Sequence, residues 1–446
     1  AFSPGGAAMI AFVTLLLGLI SGVYPIEVTV SGPVAAVEFQ LDGAAVGRVE
    51  HPPWIGRVNL GADILPHQLV ARALDAQGKE IASVTQWINL PRPPAEVQVV
   101  LENDGKGVPR SARLAWQSVN GVKPASIDLT LDGEPLTVDG SGQAALPPKD
   151  LSSLHVLSAQ LWFPPGVTAH RDVAYGGQYG SEVSTELTAL PVRVRPGAAL
   201  PPPPGLAGWL TLGGRPLAAD AVEDGPGKVI VVRVPSGQEI SDKLAASNRR
   251  LSYLDFRDRM RLGPEDRMRF LSLASSPYQS KIPAELFGLS RELTAKDGGV
   301  FWLLSGYTYL NPPKAGEQRI ADAVAVAGLQ AAAENDRRAV VLVLGGHEQD
   351  ASRYDPAVVR RYLEAVHVPL FVWSLYGAGN SAARAWTESW GKVEDISSLP
   401  KLEAAVNRLK AELASQRIVW LDGRHLPQAI TLGPEAKGVE IVTGTP

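Results

Sequence analysis

Two periodicities divide the chain. Between Ile26 and Pro93, apolar and polar residues alternate singly in short runs that end in turn residues, the pattern of half-buried strands. Val37-Glu-Phe-Gln-Leu41 leads into Asp42-Gly43, and His67-Gln-Leu-Val-Ala-Arg-Ala-Leu74 into Asp75-Ala-Gln-Gly78. A second series follows the same plan. Ile127-Asp-Leu-Thr-Leu131 precedes Asp132-Gly133, and Leu154-His-Val-Leu-Ser-Ala-Gln-Leu161 mirrors the His67 strand. The turn Asp and the strand His are 25 residues apart in the first series and 23 in the second. This repeat predicts two all-β sandwiches in tandem, over 26–94 and 95–192. Trp54, Trp116 and Trp162 are expected to anchor cores or domain junctions.

Past Gly205 the period changes. Continuous apolar runs predict buried strands at 228–234, 268–274, 300–305, 339–344, 369–375 and 417–421. Helical spacing falls near 241–260, 281–295, 317–334, 356–366 and 399–415. Alternating strands and helices predict a doubly wound α/β domain over 208–446 with helices on both faces of a parallel sheet. Four consecutive prolines at 201–204, after Pro191-Val-Arg-Val-Arg-Pro196, predict a stiff linker over 193–207. The mixed-charge run Asn248–Leu262 reads as a solvated amphipathic helix, with a docking face as the sharper alternative.

The N-terminus has a third pattern. Gly5 to Tyr24 is mostly apolar, and no charged side chain precedes Glu27. As a helix such a segment spans roughly 30 Å, one bilayer core, and Pro25 would end it. No basic leader and no small-x-small cleavage site accompany it. The expectation is an uncleaved transmembrane anchor over 1–25 that reaches membrane lipid. Thr14, Gly18, Ser21 and Gly22 would fall together on one helix face, as a surface for close helix packing.

Composition narrows the function classes. The chain has 446 residues, no cysteine and a formal net charge of −4. Absent cysteine removes disulfides, thiolate metal sites and iron–sulfur clusters. The slight negative charge gives no electrostatic reason to expect a nucleic acid partner. Cysteine-free exported β domains behind an anchor suggest a single-pass protein of the bacterial inner membrane, with its bulk in the periplasm.

Two resemblances carry further implications. Leu41-Asp-Gly43, Pro52-Pro-Trp54 and the His67 strand make the N-terminal repeats resemble bacterial immunoglobulin-like sandwiches. Ala339–Asp350, followed by Pro356–Ser374 with Val368-Pro-Leu-Phe-Val-Trp-Ser374, resembles the late part of a von Willebrand factor A-like (VWA) domain of acidobacterial type. Metal-binding members of that family carry Asp-x-Ser-x-Ser after the first strand, a Thr in a second loop and an Asp in a third. Aligned on this chain, those positions hold Val234, Ser236 and Gln238, then Gln318, then Gly345. The resemblance therefore implies a metal site that has lost both anionic ligands.

Other chemistry is sparse. His347, Glu348 and Asp350 share one loop and offer either an alternative metal site or a solvated polar loop. Ser236 and Ser305 precede glycine, but neither stands in a Gly-x-Ser-x-Gly elbow. The sequence therefore predicts a non-catalytic protein with no cofactor and no metal. Its expected role is that of an accessory subunit that binds and stabilises a larger integral membrane complex, respiratory or photosynthetic among the candidates. The alternative is metal-independent adhesion or ligand binding at the cell envelope. A third reading, enzymatic, would use Ser236, Gln318 and His347.

Overall fold

The computed structural model describes residues 9–14, 16, 18–92, 95–103, 108–118, 123–164, 167–176, 187–246, 259–273, 287–306, 318–333, 335–346, 349–377 and 381–444. Strand accounts for 42% of the chain and helix for 19%. The protein is therefore mostly β, and its α/β part is smaller than the sequence pattern assigned.

The first unit contains β1 (Met9–Phe12), β2 (Val23–Ser31), β3 (Ala36–Leu41), β4 (Ala44–Val49), β5 (Ile55–Asn59), β6 (His67–Leu74) and β7 (Glu80–Ile88). They form two sheets, β1-β2-β5 and β4-β3-β6-β7. Alternation does the work: on β2, Ile26 and Val28 are buried while Pro25, Glu27 and Thr29 are exposed. The inward residues of both sheets meet in one core that includes Ile26, Val28, Phe39, Val58, Leu69 and Ile88, giving an immunoglobulin-like sandwich.

The expected transmembrane helix is not seen among the described residues. No described helix is long and apolar enough to cross a membrane. Met9–Phe12 is instead an edge strand paired antiparallel with Val28–Ser31, and the described residues between it and β2 form an irregular strap. Gly18 and Gly22 adopt φ of +74° and +99°, which no right-handed helix contains, so the packing face of Thr14, Gly18, Ser21 and Gly22 does not form. Thr14 Oγ1 accepts a hydrogen bond from Glu27 N at 2.9 Å. Leu16 joins the sandwich core. Apolar content alone cannot separate a bilayer span from a segment buried in protein, and here protein supplies the apolar surroundings.

The second unit has β8 (Ala95–Asn103), β9 (Pro109–Ser118), β10 (Ser126–Leu131), β11 (Glu134–Leu136), β12 (Gln143–Ala145), β13 (Leu154–Phe163) and β14 (Val167–Gly176). Sheets β12-β9-β8 and β11-β10-β13-β14 enclose a core drawn only from residues of this unit, including Leu114, Leu129, Leu157 and Leu161. It is a second immunoglobulin-like sandwich. Trp54 and Trp116 pack against their respective cores. Trp162 is half-buried on the outward-facing side of β13.

The stretch read as a linker lies inside a third all-β unit, whose first strand begins within the bounds expected for the second sandwich. Its strands are β15 (Leu187–Val194), β16 (Leu210–Leu212), β17 (Arg215–Pro216) and β18 (Ala219–Glu223). The chain then enters the α/β unit through β19 (Gly227–Arg233) and α1 (Gly237–Ala246), followed by β20 (Arg267–Leu271), β21 (Leu293–Thr294) and α2 (Val300–Gly306). Next come α3 (Ile320–Ala333), β22 (Arg337–Leu344), α4 (Pro356–Ala365), β23 (Leu370–Ser374), α5 (Ser381–Ser389), β24 (Val393–Asp395) and α6 (Leu399–Ser415). It leaves through β25 (Gln416–Asp422), β26 (Ile430–Leu432) and β27 (Val439–Ile441). These last strands rejoin the third unit, in sheets β18-β25-β15-β27 and β17-β16-β26. The run at 417–421 is thus the antiparallel partner of β15 and β18, outside the parallel sheet.

The parallel sheet has the order β21-β20-β19-β22-β23-β24, with β21 antiparallel at its edge. Alternate residues feed opposite cores. Val229, Val231, Val341, Val343, Phe371 and Trp373 face α1, α2 and α6, while Ile230, Val232, Val340, Leu342, Leu344 and Val372 face α3 and α4. The apolar run at 300–305, expected as a strand, is helix α2. Its buried residues Val300, Leu303 and Leu304 sit at helical spacing, and Trp302 points outward with 55% exposure. The helix expected at 281–295 is extended over its described part, where Leu289 bridges Leu271 and β21 pairs with β20. Most of the 248–262 run lies outside the described residues.

The first sandwich is docked on the α/β unit. Ile64 is fully buried in the core formed with α3 and α4, and Leu19 and Leu90 pack against that core. Arg361 forms a fork with Asp63 at 2.7 and 3.0 Å and Tyr354 Oη donates to Leu19 O at 3.1 Å, while from the third unit Gln428 Nε2 donates to Pro66 O at 2.7 Å.

Candidate functional site

In an open α/β sheet, ligands bind outside the carboxyl ends of the strands where the winding reverses. Here that point lies between β19 and β22, so the loops after Arg233 and Leu344 define the candidate site. The residues matched to the degenerate metal motif stand on or beside these loops.

Val234 has an apolar, half-buried side chain packed toward the α3 core, and its amide donates to Val343 O at 3.0 Å. Ser236 caps α1: its Oγ accepts from Glu239 N at 3.1 Å and its carbonyl from Ile240 N at 3.1 Å. This is the Ser-x-x-Glu arrangement of a helix start. Exposed Gln238 donates through Nε2 to Asp242 Oδ1 at 2.7 Å. A Cβ on Gly237 would lie 2.1 Å from Ser305 O, so α1 and the end of α2 touch through a glycine. Beneath them Arg233, 2% exposed, donates to Leu304 O at 2.5 Å. Ser305 Oγ donates to Phe301 O at 2.9 Å, a bond internal to its helix.

Across the site, Gln318 accepts at its carbonyl from Ala351 N at 2.7 Å. Asp350, one of the alternative metal candidates, caps α3 from a distant loop. Its carboxylate accepts from Ile320 N at 2.9 Å and Ala321 N at 3.3 Å, and also from Ser352 N at 3.0 Å. Asp322 replies from the helix, accepting from Arg353 N at 3.1 Å and Tyr354 N at 3.3 Å, with Arg319 Nε at 2.6 Å. The positive end of α3 is thus already neutralised by the protein's own carboxylate. His347 and Glu348 lie outside the described residues.

Gly345 and Gly346 follow β22. A Cβ on Gly346 would lie 3.2 Å from Tyr376 Cδ2, so the glycine lets that ring lie across the loop. Tyr376 is 44% exposed. Lys243 Nζ stands 4.5 Å from the ring centre, a cation–π distance. Partial burial, then the charge of Glu239, raise the phenol above its ordinary pKa. Sequence reasoning missed Tyr376, Lys243 and Trp302 as features of this edge. Only the Ser236-x-x-Glu239 cap left a readable local signal.

Among the described residues no group of three or more His, Asp or Glu side chains could hold a metal ion. Of the carboxylates present here, Asp350 caps α3, Asp322 pairs with Arg319, Asp242 accepts from Gln238 and Glu239 stands beside Tyr376. Chemically, this edge offers the Tyr376 ring, hydrogen-bonding groups and a lysine, with exposed Trp302 on the adjoining helix α2.

No family model matches the chain, and no curated protein does. Among solved structures, it is similar to fibronectin(III)-like modules of Clostridium thermocellum CbhA, at 14% identity and a TM-score of 0.16, over 38% of this chain and 94% of that one. The central fibronectin-III array of RIM-binding protein is similar at 9% identity and a TM-score of 0.24, covering 46% of this chain and 82% of that one. Proximal thread matrix protein 1 from the mussel byssus gives 13% identity and a TM-score of 0.27, over 50% of each chain. Scores this low carry no argument about function, and the description of the sandwiches rests on their own sheets and cores.

Proposed function

We propose that the protein is a non-catalytic binding subunit whose α/β unit is a metal-independent VWA-like domain that engages a protein partner at its carboxyl edge. The doubly wound order, with helices on both faces and a short antiparallel edge strand, supports the VWA-like reading. The observation that carries the functional part is the occupancy of the two helix starts at the switch point. Ser236 caps α1 and Asp350 caps α3, where a cation- or anion-binding domain would leave donors or carboxylates for its ligand. What faces solvent instead is Trp302 and Tyr376, and half-exposed aromatics are the side chains that most often anchor protein interfaces. The segment that would have tied this role to a bilayer is a strand and a strap, so the proposal concerns a protein partner.

The test is size separation of native extracts with mass spectrometry of whatever migrates with this chain, for wild type and for the Trp302→Ala/Tyr376→Ala double variant. Co-migration with one partner at fixed ratio, lost in a double variant that keeps its circular dichroism and melting temperature, is the expected result. A wild-type chain that travels alone, or a double variant that keeps the partner, overturns the reading.

A further inference from the structure

The Asp-to-His spacing repeated along the sequence is a repeated contact. In the first sandwich His67 Nδ1 lies 2.7 Å from Asp42 Oδ2, and Gln68 N donates to Asp42 Oδ1 at 2.8 Å. In the second, His155 Nδ1 lies 2.9 Å from Asp132 Oδ2, and Val156 N donates to Asp132 Oδ1 at 3.0 Å. Both aspartates hold the left-handed position of an Asp-Gly hairpin, at φ of 52° and 53°.

The copies differ at the other ring nitrogen. His67 Nε2 is buried and has no hydrogen-bond partner among the described residues. His155 Nε2 lies 2.9 Å from the backbone oxygen of Asp150. A carboxylate and a carbonyl can only accept, so the His155 ring must carry hydrogens on both nitrogens to make both bonds, which makes it an imidazolium. A neutral ring has one N–H and must release one partner. The groups facing the ring are Asp132, Lys149, whose Nζ stands 2.9 Å from the same Asp132 oxygen, and Tyr175, whose ring centre is 5.5 Å away. The Asp150 carboxylate turns away to Ser152, accepting from its amide at 3.0 Å and its hydroxyl at 2.6 Å.

We propose that protonation of His155 is a latch that pins the Asp150 backbone of the loop 147–153 to the hairpin turn at Asp132, beside the Lys149–Asp132 ion pair. Loss of the proton frees the Asp150 end of the loop while Lys149 still holds its start. The neutral ring keeps Nδ1–H on the charged Asp132 carboxylate, and the weaker acceptor, the Asp150 carbonyl, is given up. The hydrogen bond to Asp150 O, then Asp132, hold the imidazolium above the ordinary histidine pKa. The latch is therefore closed below about pH 6.5 and opens as pH rises through the raised value. The loop borders the β13 end where Leu154 and Val156 are 53% and 40% exposed, so its release changes an apolar surface of the second sandwich.

The test uses the full chain. Hydrogen exchange of the Ser152 and Ser153 amides is followed from pH 5.5 to 8.5, corrected for intrinsic rates, alongside the 15N shifts of His155. The expected result is an imidazolium at pH 6 and a loss of loop protection of about tenfold as it titrates, the equivalent of one net hydrogen bond. His155→Gln, whose side-chain amide keeps one protonation state across this range, is expected to give a flat profile. The turn at Asp42 in the first sandwich is the internal control and stays unchanged. A neutral His155 ring at pH 6, or loop protection that does not follow the ring's titration in the wild-type chain, overturns the latch, whether or not the variant folds.

Discussion

The buried Gln86 carboxamide accepts a hydrogen bond from Leu16 N at 2.6 Å and returns one through Nε2 to Thr14 O at 3.1 Å. Three residues on, Asn89 repeats the device, accepting from Ile20 N at 2.8 Å and donating to Ile20 O at 2.8 Å. Two side-chain amides thus do for the strap what a neighbouring strand does for a strand: they satisfy backbone groups that burial removes from water.

Gln86→Ala and Asn89→Ala are each expected to destabilise the chain by about 1–3 kcal/mol, because each leaves buried backbone groups unpaired. Denaturant unfolding measures the loss, and hydrogen exchange localises it to the Leu16 and Ile20 amides. Wild-type stability in both variants would mean that water serves the strap equally well.

The strap also shows where sequence reading stops. Singly alternating residues such as Val37–Leu41 and the continuous run Ala339–Leu344 report their surroundings locally, because a pleated strand sorts its side chains by position. Gly5–Tyr24 does not. Its partners Gln86 and Asn89 are about 70 residues away, and nothing nearby distinguishes protein from bilayer. The same limit applied at 300–305, where Phe301, Trp302, Leu303 and Leu304 suit a strand or a short helix until the packing is known. At the candidate site, the absent ligands at Val234 and Gly345 were legible as residue types. The caps made by Asp350 and the placement of Tyr376 were not, since both depend on loops folded against distant helices.

Gly328 marks the close approach of α3 and α4. A Cβ there would lie 2.1 Å from Leu363 Cδ2, in a core with no room to yield. Gly328→Ala is expected to lower stability by about 1–3 kcal/mol despite the better helix propensity of alanine. Gly22→Ala meets no neighbour but must hold φ near +99°, at about 1–2 kcal/mol. Thermal melts of the two variants separate packing from backbone strain. In a Leu363→Ala background Gly328→Ala is expected to cost less than in the wild-type chain, whereas Gly22→Ala costs the same in both.

His367 carries a pH dependence opposite to that of His155. It is 4% exposed, with Nδ1 2.9 Å from Val442 O and Nε2 3.0 Å from Pro427 O. The neutral ring donates to only one of these two carbonyls, and burial outweighs the second bond that a proton would add. Burial, aided by the neighbouring Arg338 charge, pushes its pKa down to about 4. The unfolded chain therefore binds a proton that the folded chain refuses between about pH 6.5 and pH 4, and stability falls as pH drops through that window. The expected loss from this residue is on the order of 3 kcal/mol. His367→Asn tolerates the left-handed backbone at φ 55° and does not titrate. Denaturation midpoints between pH 7 and 4 should decline less steeply in that variant, and parallel declines would assign the effect elsewhere.

The docking of the first sandwich on the α/β unit combines an ionic and an apolar contact, and their sizes should differ. The Arg361–Asp63 fork is well formed at 2.7 and 3.0 Å, but both side chains are substantially exposed, so solvent and salt screen them. Asp63→Ala is expected to lose about 0–1 kcal/mol, less in high salt. Its neighbour Ile64 is fully buried among side chains of α3 and α4, where removal of three carbons leaves a cavity. Ile64→Ala is expected to lose about 2–4 kcal/mol with little salt dependence. If the sandwich and the α/β unit act as one cooperative body, that substitution lowers the unfolding midpoint of both together. Separate probes, Trp373 or Trp390 fluorescence for the α/β core and proteolysis of the strap for the sandwich, decide it. A shift confined to the sandwich would mean that the two units unfold independently and that the apolar contact at Ile64 joins them without coupling them.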